Sequence, residues 1–184
     1  MMDLKTTDIV EAGGKVILTS GIEALSLNNL AKELKIDYDL PFNFLRKDDD
    51  ILKLLLESLG IEIKQLIIDA RVSGKSPENE LQLLFERIYK LFNEKPYYLT
   101  IIYSTELEER DAWSQVILSG IKADIKAYLL EIIKKGKRET LFKNNLESRS
   151  LTKRILGSFR SFMNEQRLIT KMVKDIENLK VIID

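Results

Sequence analysis

Apolar residues Ile9, Ala12, Val16 and Ile17 recur at helical spacing and stop at Ser20-Gly21. This predicts a helix over roughly residues 7–20, closed by a glycine able to take positive φ. Ser26 precedes Leu27-Asn28-Asn29-Leu30-Ala31 and is placed to cap a second helix over about residues 27–34, with Leu27, Leu30, Ala31 and Leu34 on one face. A break near Lys35-Ile36 leads into a short segment from Tyr38 to Leu45. Two helices joined by a turn of a few residues predict a helix-turn-helix, whose second helix normally enters the major groove of DNA.

Beyond this head the pattern stays helical. Ile51, Leu52, Leu55, Leu59, Ile61, Leu66 and Ile67 mark a long helix over about residues 49–72, with Asp48 as its expected cap and acidic residues in its first turn. Ser73-Gly74-Lys75-Ser76-Pro77 is the clearest loop, with Ser76 set to cap the next helix and Pro77 at its first position. That helix carries Leu81, Leu84, Phe85, Ile88, Leu91 and Phe92 and stops near Lys95-Pro96. An aromatic stretch, 97–103, follows. A long helix over about residues 111–135 is expected to end at Gly136, followed by a basic loop containing Lys137, Arg138 and Lys143. Two last helices, about 146–165 and 168–179, close the chain.

The head resembles the tetracycline-repressor (TetR/AcrR) family. The matching positions are Ile9, Ala12, Gly21, Ala24, Ser26, Leu27, Leu30, Ala31, Ile36, Phe42, Leu45, Asp49, Ile51 and Leu52, densest over residues 9–56 and weaker towards the C-terminus. The resemblance implies an all-α chain of about nine helices, with a three-helix DNA-binding head over 1–48 and an effector-binding and dimerisation bundle over 49–184. Operator contacts are then expected from Ser26, Asn28, Asp37, Tyr38, Asp39, Asn43, Arg46 and Lys47. A pocket for a small, mostly hydrophobic effector is expected from Phe85, Tyr89, Tyr98, Ile101, Ile102, Trp113 and Ile117, since apolar walls with a few hydroxyls suit such a ligand. A two-fold bundle of the last two helices would form a homodimer through Leu151, Ile155, Leu156, Phe159, Met163, Ile169, Met172, Val173 and Ile176.

Composition narrows the function. The 184 residues contain no cysteine and no histidine, so the usual nucleophiles, general bases and zinc ligands are missing. No catalytic motif is present, and the chain is expected to be neither an enzyme nor dependent on a cofactor or metal. No run of about 20 apolar residues suggests a membrane span, and the N-terminus lacks a signal-peptide pattern, so the expected location is the cytoplasm.

Charge runs against the family pattern. Residues 1–50 hold 6 basic and 10 acidic side chains, whereas residues 121–184 hold 15 basic and 8 acidic. A DNA-binding head is expected to be the basic part. Phe42 stands where the family usually has a tyrosine, Asp48 where it usually has a lysine, and Pro41 interrupts the recognition segment. These departures raise a second expectation: the same fold serving as a ligand-binding or protein-interaction module that has lost operator binding.

Overall fold

A computed structural model describes residues 5–36, 45–142 and 146–163, leaving aside the side chains of 108 and 159–163. The described residues form eight α-helices and no strand. These are α1 (Thr6–Ser20), α2 (Leu27–Leu34), α3 (Asp48–Ser73), α4 (Pro77–Glu94), α5 (Tyr97–Ile102), α6 (Thr105–Arg110), α7 (Ala112–Arg138) and α8 (Ser148–Met163). The all-α architecture expected from the sequence is the one observed. The expected helix over 168–179 lies outside the described residues.

The ends of the helices follow the local signals closely. Gly21 takes φ +85° and its N–H donates to the Ile17 carbonyl, closing α1. A 3-10 turn, Ile22–Ala24, then leads to α2, whose Asn29 N–H donates to the Ser26 hydroxyl at 3.2 Å. Lys35 ends α2 in the left-handed region at φ 55°, and the Ile36 N–H donates back to the Ala31 carbonyl. Ser76 caps α4 as expected, accepting from the Asn79 N–H at 3.2 Å.

Gly136 behaves differently from the expectation. It does not stop α7, which runs on to Arg138; a Cβ at Gly136 would sit 2.8 Å from Cγ of the Phe142 ring. The glycine is therefore a seat for an aromatic ring. The left-handed residue beyond the helix is Thr140, at φ 58°.

Packing divides the chain into two compact units, 1–62 with 91–121 and 63–90 with 122–184. In the first, α1 packs on α2, on the 3-10 turn and on α5. Its fully buried residues include Ile9, Leu30, Ile51, Leu55, Leu59, Tyr98, Ile101 and Leu118. In the second, Leu84, Leu129, Ile132 and Ile133 are buried to the same degree. The expected functional boundary at residue 48 is a separate matter from this packing division, which runs through α3.

Candidate functional site

The head can be built from α1 outwards. Consecutive glycines, Gly13 and Gly14, are buried on α1. A Cβ at Gly13 would lie 3.2 Å from Ile51 and 3.3 Å from Leu55. One at Gly14 would overlap the Tyr97 ring, with Cγ at 2.7 Å. Glycine inside a helix costs about 1 kcal/mol relative to alanine. Here that cost is offset by letting α3 side chains and the Tyr97 ring approach the α1 backbone.

The start of α2 is the head's anion-attracting end, because unpaired N–H groups and the helix dipole point outwards there. In this chain it is already engaged. Ser26 takes the Asn29 N–H, and the Leu27 N–H donates to Asp48 Oδ1 at 2.8 Å. Asp48 therefore does not cap its own helix as the sequence suggested: it is the first residue of α3 and its carboxylate reaches back to α2. Asp50, the third residue of α3, also reaches back, accepting from the Arg46 N–H at 2.8 Å and the Lys47 N–H at 3.1 Å just before the helix. These N–H groups, the Arg46 one foremost, hold the Asp50 carboxyl below its ordinary pKa. Asp49 pairs with Arg110 of α6 at 3.2 Å and with Lys47 at 3.5 Å. The three consecutive aspartates thus face different partners, Asp48 the Leu27 N–H, Asp49 the side chains of Arg110 and Lys47, and Asp50 the Arg46 and Lys47 N–H groups, and among the described residues no group of three or more such side chains is arranged to hold a metal.

Of the expected operator contacts, Ser26 is half-buried and committed as a cap, Asn28 is exposed on α2, and Arg46 and Lys47 are exposed just before α3. Asp37, Tyr38, Asp39 and Asn43 lie outside the described residues. So do Phe42 and Pro41.

The expected effector residues fall into both units. Tyr98, Ile101, Ile102, Trp113 and Ile117 belong to the first, Phe85 and Tyr89 to the second. On α5, Tyr98 and Ile101 are fully buried, and the Tyr98 hydroxyl is hydrogen-bonded with Ser58 Oγ at 2.8 Å. Burial raises the Tyr98 pKa above its ordinary value. Lys95, just before α5, pairs with Glu62 of α3. Trp113 is half-buried, with Lys53 Nζ 5.6 Å from its ring centroid, so one face of the indole already meets a cation. Ile117 and Tyr89 are half-buried and Phe85 is buried.

Among the expected dimer residues, Leu151 is buried and Ile155 and Leu156 are half-buried on α8. Phe159 and Met163 continue α8, and Ile169, Met172, Val173 and Ile176 lie outside the described residues.

One residue stood out only in three dimensions. Glu80, an acidic residue in the first turn of α4, is 6% exposed. It accepts from the Tyr128 hydroxyl at 3.3 Å and from Lys135 Nζ at 2.6 Å, both on α7. Arg71 of α3 lies over the Tyr128 ring at 5.1 Å and pairs with Glu131 at 2.6 Å. Gly74 makes room for this carboxylate, since a Cβ there would meet Cα of Glu80 at 3.1 Å. The available signal was the seven-residue spacing of Tyr128 and Lys135, which puts both on one face of α7.

No family model matches this sequence. No curated protein sequence matches it either. Solved structures do match. The ketosteroid transcriptional regulator KstR2 of Mycobacterium tuberculosis superposes with a TM-score of 0.80 at 11% identity, over 96% of this chain and 94% of that one. FadR from Bacillus subtilis, solved in complex with stearoyl-CoA, gives 0.73 at 18% identity over 98% of each chain. A TetR/AcrR-family transcriptional regulator from Thermobifida fusca YX-ER1 gives 0.69 at 14% identity, over 95% of this chain and 94% of that one. The chain has a TetR-like fold. Its structural neighbours are transcriptional regulators and not enzymes. No described helix of this TetR-like chain is long and apolar enough to cross a membrane.

Proposed function

We propose that the chain is a TetR-like transcriptional regulator that works in the cytoplasm as a homodimer. In this reading residues 1–48 are the DNA-binding head and residues 49–184 the effector-binding and dimerisation body. The single observation that carries it is the likeness in fold to transcriptional regulators over 94–98% of either chain. Operator contacts come from Ser26, Asn28, Arg46 and Lys47 together with Asp37, Tyr38, Asp39 and Asn43. An effector in the body shifts the balance between two arrangements of the heads, which requires that it bind one of them more tightly.

The effector is a small, mostly hydrophobic molecule held by Phe85, Tyr89, Tyr98, Ile101, Ile102, Trp113 and Ile117. One neighbour was solved with stearoyl-CoA and another is a ketosteroid regulator, so stearoyl-CoA and a steroid ketone are the first probes to use. The dimer rests on the apolar faces of α8 and of residues 168–179. The paired change Leu156→Glu and Phe159→Glu is expected to give a monomer in light scattering, or an unfolded chain; an unchanged dimer mass would remove this interface from the reading.

A specific observation favours a second reading, in which the fold persists without operator binding. The Asp48 carboxylate sits on the Leu27 N–H that would otherwise attract phosphate, in a head with excess acidic residues. Selection of bound duplexes from a random DNA pool at low salt separates the two. A palindromic site whose affinity falls steeply with salt supports the regulator. A folded dimer that enriches no sequence supports the second reading.

A further inference from the structure

The chain carries no net charge, yet its charges are unevenly placed. Residues 134–154, in the second unit, hold eight basic and two acidic side chains. Two of these cations already serve the fold. Lys135 pairs with Glu80, and Lys137 donates to the Leu146 carbonyl, which brings the end of α7 to the start of α8. On α8 itself, Arg149 and Lys153 stand one turn apart on one face, both exposed and neither ion-paired with a described residue. Like charges at this spacing weaken a helix, and Arg149 lies in the first turn, where the helix dipole disfavours a cation. Local helix energetics therefore give no reason for the pair. The first unit holds a counterpart. There α1 and α2 line a groove of about 320 Å³, with Asp8, Glu11 and Glu33 against one cation, Lys15, and with Leu34 and Ile36 as an apolar wall. Lys15 answers Glu33 at 3.6 Å, whereas exposed Glu11 has no cation at ion-pair distance among the described residues. An acidic rim beside an apolar wall suits arginine and lysine, whose stems are apolar and whose tips are charged.

We propose that the basic face of α8 docks into the α1–α2 groove of a second copy of this chain, with Arg149 and Lys153 entering beside Glu11 and Glu33. Charge complementarity selects the partner, since face and groove are opposite in sign. A chain with 29 basic and 29 acidic side chains also has no net repulsion to keep its copies apart. Two different surfaces meet, so the contact is heterologous and adds copies one after another. It requires neither an operator nor an effector, and so goes beyond the regulator reading.

The test is sedimentation of the full chain without DNA. Average mass is expected to rise as salt falls from about 1 M to about 0.01 M, over which the screening length grows from about 3 to about 30 Å. Arg149→Glu with Lys153→Glu, and separately Glu11→Lys with Glu33→Lys, should each weaken this association about tenfold. An equimolar mixture of these two variants should restore it, which misfolded chains could not do. Lys64→Glu with Lys75→Glu, at two exposed lysines of the second unit, makes the same change in net charge as the α8 pair and should associate as the parent does. A mass independent of salt would overturn the proposal, as would a mixture that stays apart. Equal loss of association in the Lys64 and Lys75 variant would also overturn it, because net charge would then explain the effect. Reversal at Arg149 and Lys153 that spares self-association but abolishes binding of duplex DNA would assign this face to nucleic acid instead.

Discussion

In the first unit α1 meets its neighbours through bare backbone, with Gly13 against Ile51 and Leu55 and Gly14 against the Tyr97 ring. In the second, α4 and α7 meet around a charge, the Glu80 carboxylate held by Tyr128 and Lys135. Close apolar approach depends on shape and is little changed by salt or pH. A carboxylate held away from water depends on its partners remaining in place and in the right protonation state. The difference teaches where each unit is vulnerable. One is sensitive to a methyl group, the other to the loss of a single oxygen pair.

The largest effect expected from breaking this contrast is at Glu80. Glu80→Ala leaves the Tyr128 hydroxyl without its acceptor and should destabilise the chain by about 1–3 kcal/mol. Urea unfolding measures it, and Lys135, being half-exposed, is free to rehydrate. A change near zero would mean that the carboxylate is a passenger and the two units are held alike.

A smaller effect is expected at Asp48. Asp48→Lys frees the Leu27 N–H and replaces an anion by a cation at the edge of the head. Affinity for duplex DNA at low salt should rise by about tenfold, and the slope of log affinity against log salt should steepen by about one. The same affinity and slope as the parent would show that the aspartate does not stand between this head and phosphate.

The smallest effects are in pH dependence, and they separate the units again. Asp50 is held below its ordinary pKa of 3.8 first by the Arg46 N–H, and Asp111 first by the Ser114 N–H. Both belong to the first unit. A carboxylate that ionises more readily folded than unfolded contributes stability above its unfolded pKa, and loses it as pH falls through the lower folded value. Asp50→Asn with Asp111→Asn should therefore flatten the loss of stability below about pH 4. In the second unit, burial and then Glu80 push the Tyr128 pKa up to about 12 from 10.0. Its contribution is complete below pH 10.0 and fades as pH rises towards about 12, so Tyr128→Phe should remove that alkaline limb. Circular dichroism against pH checks both. Identical curves for variant and parent would show that neither group is linked to folding.

Local signals in the sequence carried much of the helical plan. Ser26 and Ser76 read as caps and are caps, because a hydroxyl one residue ahead of a helix has few other ways to serve the free N–H groups. Gly21 read as a stop and adopts positive φ. The candidate site was less legible. Asp48 and Asp50 are equivalent to any rule about acidic first turns, and only the approach of α2 gives Asp48 the Leu27 N–H. Glu78 and Glu80 are equally alike in sequence.

What the sequence determined by itself was therefore everything settled within a turn or two of helix: the all-α class, where α1, α2, α3 and α4 begin, and the absence of cysteine and histidine chemistry. Tertiary structure alone decided which polar groups lose water and to whom. It made Gly136 a seat for Phe142 rather than a stop, and buried Glu80 against residues 48 and 55 positions away. Capping and periodicity act between near neighbours along the chain, whereas burial and cross-helix hydrogen bonds arise only when distant segments meet.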